Sequence, residues 1–253
     1  VPTLRQRPWA RGPNLRRRRA RDAEGGGGGG APGGGGGGPL TIPTPDYLWQ
    51  LDESSGTRVA ALGGRDLSEI GSVGSTTGKL SDAARFTGTG TDRLQNTPFS
   101  GDIIRTIGCW WRPQGTVSSD GVIAGQVIST PVPNVRFNLR EKLNRTQVQA
   151  AIFVFTCTVT LNQVVDEWHY LLAILSGSSF EPRLSVDGGA FAASDFGGPG
   201  SGLEALQHLH VGDSNDGGLP LNGDVDQLAL WKAELTEANA QALYNGGAGR
   251  LLP

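Results

Sequence analysis

The chain has 253 residues, of which 40 are glycine, with 37% hydrophobic and 18% charged residues and a formal charge of −2. Low charge with abundant glycine suits a turn-rich all-β protein better than a helical one, and no apolar run reaches the roughly 18–20 residues of a membrane span. The small net charge hides an asymmetry: residues 1–24 carry eight arginines against Asp22 and Glu24, and the remainder is acidic.

Residues 1–24 read as an arginine-rich arm, with Arg16, Arg17, Arg18 and Arg19 in one run. Residues 25–45 read as a linker: two glycine hexamers split by Ala31-Pro32 behave as a flexible coil, and Pro39, Pro43 and Pro45 stiffen the approach to the first strand. Neither segment has the aliphatic clusters that repay the entropy of ordering, so one folded domain is expected over 46–253. The basic start runs into polyglycine and not into an apolar stretch, so no signal peptide is expected.

Within the domain, strands and turns alternate at short intervals. Tyr47–Leu51 reads as a first strand. Ala83–Phe86 and Arg93-Leu94 flank the turn Gly88-Thr89-Gly90. Ile103–Arg112 is a longer strand closed by Pro113, followed by Val122–Gln126, Val135–Arg140 and a run from Gln147 to Thr160. Val135, Phe137 and Leu139 alternate with Arg136, Asn138 and Arg140, the signature of a half-buried antiparallel strand. Trp168–Leu175 and Arg183–Val186 come next, the second turned by Asp187-Gly188-Gly189. His208–Gly212 and Val225–Trp231 complete the set. One helix is predicted, with Thr236 as N-cap, its body running to Tyr244, and Asn245-Gly246-Gly247 as C-cap. About a dozen strands with one short helix predict an antiparallel two-sheet β-sandwich of jelly-roll type. Cys109 and Cys157 lie in apolar runs without metal-ligand spacing and read as buried free thiols, the alternative being a disulfide if their strands adjoin with suitable Cβ geometry.

Three passages resemble the laminin-G-like branch of the concanavalin A-like lectin/glucanase superfamily. Tyr47–Leu94 is similar to its opening strand, its "D-SG" turn and its "G-AA-F-G--D-L" strand pair. Trp168–Gly189 resembles its "WHH…LYVDG" hairpin, and Leu209–Gly247 its terminal "G-IDEV-IWNRALT…ALYN-G". The resemblance implies the fold across nearly all of 46–250. It implies no particular ligand, because members bind sugars or proteins, or have no known ligand, and function resides in sites grafted on folds.

Asp226 sits where related sandwiches place a structural calcium ligand, and Asp46 and Asp92 are candidates to join it, since calcium takes six to eight oxygens. The bland alternative is that these are turn and strand-edge carboxylates bonded to backbone N–H groups. Trp110 and Trp111 are adjacent and must point to opposite faces of their sheet; Trp110 is the candidate to line a groove and stack on a sugar ring. Trp168 and Trp231 match core positions of the family. The loop from Gly212 to Gly218 offers Asp213, Asn215 and Asp216 for hydroxyl recognition, against the alternative of an ordinary turn. No paired-acid motif of a glucanase occurs, Asp224-x-Asp226 being the nearest, and no phosphate loop or zinc motif is present.

These features predict a non-enzymatic recognition module that needs no cofactor beyond structural calcium. The expected partners are a glycan or other surface ligand for the domain and a larger assembly for the arm. Display on a virion or cell surface is expected. The bland alternative for the arm is a solvated, poorly ordered terminus, and nucleic acid is a further candidate, because a run of arginines neutralises phosphates. The rival readings are a self-assembling structural subunit without ligand and a glycoside-active enzyme on the same fold.

Overall fold

The computed structural model describes residues 40–88, 91–96, 102–115, 119–128, 134–143, 146–152, 155–161, 165–195, 208–214 and 218–252. The arm and the glycine hexamers lie outside them, as do Asn215 and Asp216.

Fifteen strands, one α-helix and one short 3-10 turn (Asn245–Gly247) are placed among the described residues. The first six strands are β1 (Tyr47–Trp49), β2 (Ala60–Leu62), β3 (Ser68–Ile70), β4 (Gly74–Thr77), β5 (Asp82–Thr87) and β6 (Arg93–Asn96). Next come β7 (Thr106–Pro113), β8 (Gly121–Ile128), β9 (Asn134–Glu141), β10 (Gln147–Ile152) and β11 (Phe155–Thr160). The last are β12 (His169–Ser176), β13 (Glu181–Val186), β14 (His208–Val211) and β15 (Asn222–Trp231), followed by α1 (Glu237–Tyr244).

Two antiparallel sheets result. An eight-stranded sheet runs β13-β12-β7-β15-β1-β2, with β5 also paired to β15 and β4 to β5. A seven-stranded sheet runs β11-β10-β9-β8-β14-β6-β3. Side chains alternate across each strand, and one inner set from both sheets interdigitates. Trp49, Trp111, Val225 and Leu228 from the first sheet share a cluster with Phe137, Leu139, Val148 and Leu209 from the second. This is the predicted sandwich core.

A second apolar cluster covers the outer face of the eight-stranded sheet. There Leu48, Trp110, Tyr170, Leu172 and Trp231 pack against Ala240 and Leu243 of α1 and against Leu252. The helix is held by its ends: the Thr236 side chain accepts from the Asn239 backbone N–H in a capping box, and Asn245 takes the left-handed conformation as C-cap. Both caps fall where the sequence predicts.

Three departures from the sequence reading have physical causes. The run Gln147–Thr160 is a hairpin, with Gln147 paired to Thr160 and Ile152 to Phe155; both arms are rich in apolar and β-branched residues and no Gly, Pro or Asn marks the turn. Strands β2, β3 and β4 are unpredicted, being short, glycine-flanked and partly exposed. The domain also begins before residue 46: Ile42 packs on the second cluster, and the Trp231 indole N–H donates to the Pro43 carbonyl at 2.9 Å.

The two thiols stay apart, Cys109 on β7 and Cys157 on β11, both buried and free. Burial pushes the Cys109 thiol up strongly and the Cys157 thiol up to about 11, so neither is a ready nucleophile.

Candidate functional site

A buried cluster of charges lies on the eight-stranded sheet where β5, β15 and β7 run side by side. β15 lies between β5 and β7, and its register sets Asp224 opposite Arg85 on one side and Arg112 on the other. Asp224 is fully buried. Its carboxylate accepts from Arg85 Nε at 2.8 Å and Nη2 at 3.1 Å, and from Arg112 Nε at 2.8 Å. Arg112 Nη2 also donates to the Thr77 carbonyl at 3.2 Å, and the guanidinium lies 4.7 Å from the Trp168 ring centroid. A buried carboxylate is tolerated here because two fork-shaped cations meet it on the same face of the sheet.

Arg85 is the outward member of this cluster, its side chain 39% exposed. It borders a cleft of about 290 Å³ at the rim of the sandwich, lined by Arg85, Phe86, Thr87, Gln114, Gly115 and Asn222. The cleft is braced by backbone contacts. Gln114 N–H donates to the Asn222 carbonyl at 3.0 Å, and Asp166 N–H to Pro113 at 3.0 Å. Gly212, at φ +92°, lies so close to Phe86 that a Cβ there would sit 2.1 Å from the ring. A side chain at 212 would therefore displace the Phe86 wall, so this glycine is required twice over.

The residues singled out in the sequence are dispersed. Trp110 points away from Trp111 as expected, but its outer face is not open: it is 1% exposed, 5.2 Å from Tyr170 and 5.9 Å from Tyr244 between ring centroids. It is a core residue of the helix-covered cluster and cannot stack on a sugar in this fold. Asp213 is also fully buried. Its Oδ1 accepts from Ser214 N at 2.6 Å and Leu219 N at 3.1 Å, so it pins the loop from inside and does not display a ligand group. Asn215, Asp216 and Arg16–Arg19 lie outside the described residues.

Nor do Asp46, Asp92 and Asp226 converge on a cation. Asp46 accepts from Lys232 N–H at 2.8 Å and Asp92 from Ser72 N–H at 2.9 Å. Asp226 Oδ2 accepts from Lys79 and Leu80 N–H at 2.7 and 2.8 Å and so holds the turn between β4 and β5. Among the described residues no group of three or more His, Cys, Asp or Glu is placed to hold a metal ion. The donors these oxygens meet are backbone N–H groups and, on Asp92, the Thr87 hydroxyl at 3.2 Å, and they tie the chain together at three separate places. Burial raises the Asp226 carboxyl to about 6, and its Oδ1 is buried without a partner.

The cleft residues escaped the sequence reading. Arg85 and Arg112 each stand as a lone cation in an apolar strand, and Asp224 and Asp226 alternate on one face of another. That is a signal, but only the strand order β5-β15-β7 brings the charges together.

The fold and the open rim define a lectin-like β-sandwich. A family model, the concanavalin A-like lectin/glucanases superfamily, matches residues 73–241, more than half of the chain, and the chain belongs to that family. Solved structures share its fold at low identity. The sialidase of Trypanosoma rangeli in complex with sialic acid aligns with a TM-score of 0.65 and 12% identity, covering 83% of this chain and 35% of that one. Domain 4 of AbnA, a GH43 extracellular arabinanase from Geobacillus stearothermophilus, in complex with arabinotriose, aligns at 0.56 and 12%, covering 79% and 97%. The receptor binding domain of botulinum neurotoxin type G aligns at 0.60 and 8%, covering 80% and 51%. The chain thus spans about a third of the sialidase. No curated protein matches it in sequence.

Proposed function

We propose that the chain is a non-catalytic recognition module that binds carbohydrate in the rim cleft. The observation that carries this reading is the cleft itself, where Arg85, Thr87, Gln114 and Asn222 set donors and acceptors around about 290 Å³. Guanidinium, hydroxyl and carboxamide groups are those that recognise sugar hydroxyls. The volume is at the small end of the range for small-molecule sites, roughly 300–1,000 Å³, which suits one end of a glycan held weakly and strengthened by copy number. The complex of the arabinanase domain with arabinotriose lends support by analogy of fold.

The absence of catalysis is part of the proposal. Glycoside hydrolysis needs an acid and a second carboxylate that both reach the scissile bond. Asp224 and Asp226 are the paired acids of the chain, and both are fully buried, one between two arginines and one beneath a turn. The arm supplies the other half of the reading: its charge suits anchoring to a larger assembly, with the domain displayed on a virion or cell surface.

A glycan array probed with the full chain at physiological salt, with and without EDTA, tests this function. The expected result is binding to a subset of glycans, unchanged by EDTA and without release of reducing ends. Retention of no glycan, or release of reducing ends, contradicts it.

A further inference from the structure

Arg85 is the charged residue among the described residues that line the cleft, and its hydrogen bonding is one-sided. Asp224 takes the Nε and Nη2 donors of one edge. Nη1 donates no hydrogen bond among the described residues, and the side chain is 39% exposed, which leaves the Nη1/Nη2 edge of the fork open to a ligand. A guanidinium has five N–H donors, and the pair along this second edge matches a carboxylate in bidentate geometry. Clamping by a buried carboxylate also fixes the guanidinium plane, so a ligand need not order it on binding.

The local charge is compatible with an anion. Asp224 is shared between Arg85 and Arg112, so one buried negative charge faces two positive ones. The other acid acting on Arg85 is Asp166, which is exposed. It opposes an incoming anion and limits affinity without occupying the fork.

We propose that the cleft selects sugars bearing a carboxylate, the uronate or sialic-acid class, by pairing that carboxylate with the outward edge of Arg85 while Thr87, Gln114 and Asn222 meet hydroxyls. Asp224 is a positioning residue in this scheme. The inference rests on the glycan-binding reading and adds the chemical class of ligand to it.

Two pairs of probes isolate the carboxylate in titrations of the full chain: oligogalacturonate against the same oligomer with its carboxyls reduced to hydroxymethyl groups, and a sialylated lactosamine against its desialylated form. The acidic member of at least one pair should bind about tenfold to a hundredfold more tightly, the usual worth of a charge-assisted bond, and the pair that shows it identifies the source. Arg85→Gln should erase that gap, bringing the acidic member to the affinity that the same variant shows for the neutral member. Because Arg85 also clamps Asp224, Asp166→Asn serves as a second variant on the exposed rim; it should tighten only the acidic ligand, by a fewfold. Equal affinity within both pairs, or an acidic preference that Arg85→Gln and Asp166→Asn leave unaltered, overturns the inference while glycan binding stands. Binding to none of the four probes or to any arrayed glycan removes the glycan reading, and this inference with it.

Discussion

Asp224 and Asp226 alternate on one strand, yet their surroundings give them different tasks. Asp224 joins two guanidinium groups, and its removal leaves Arg85 and Arg112 facing each other without a counter-charge. Breaking a buried pair costs about 3–5 kcal/mol; since Arg85 is 39% exposed, solvent screening lowers this, and Asp224→Ala should lose about 2–4 kcal/mol in urea unfolding. Among the described residues Asp226 has no cation beside it, only backbone N–H donors and an oxygen without a partner. Its folded-state pKa of about 6 lies above the ordinary 3.8. Between those values the folded chain holds a proton that the unfolded chain has lost, so this group's contribution to stability falls as pH rises through the window and is flat above it. Asp226→Asn should remove that slope. Relative to the parent chain, the variant should gain stability, on the order of 2 kcal/mol, on going from pH 4 to pH 7. A constant difference between the two proteins across that range would show that Asp226 ionises as it does in water.

The helix shows how a short element is sustained by its ends and by one face. Eight residues are too few to be helical alone in water. The Thr236–Asn239 capping box and the burial of Ala240 and Leu243 against the sheet supply the stability. Thr236→Ala should cost about 1 kcal/mol, read as a lower urea midpoint at unchanged slope. Both caps were legible in the sequence because capping is local chemistry. The strands were legible in proportion to their apolar content. The alternation in β9 placed Phe137 and Leu139 inward, whereas β2, β3 and β4 carry almost no pattern. Alternation also misleads in β15: the register shifts between Asp226 and Ala229 around Gln227, at φ +46°, so Val225 and Leu228 both face the core. A bulge of this kind changes which residues point outward and leaves no local mark in composition.

For the folded domain as a whole, the sandwich could be read because two inner faces must close on one core. The site could not, because it depends on which strands are neighbours. Trp110 illustrates the limit: its direction followed from adjacency to Trp111, but the helix and C-terminal residues that cover it come from more than a hundred positions away in sequence. Arg85, Gln114 and Asn222 reach one cleft from three segments for the same reason, joined by the pairing of β5 with β15 and β15 with β7. The same pairing ties stability to recognition, since the carboxylate that orients Arg85 also holds three strands together. Backbone amide shifts of the isotope-labelled full chain, followed while a glycan selected from the array is titrated in, test this arrangement most directly. Saturable shifts centred on Arg85, Thr87, Gln114 and Asn222 are expected, with the outer face of the seven-stranded sheet silent. Shifts confined to that other face, or none at any glycan concentration, would contradict it.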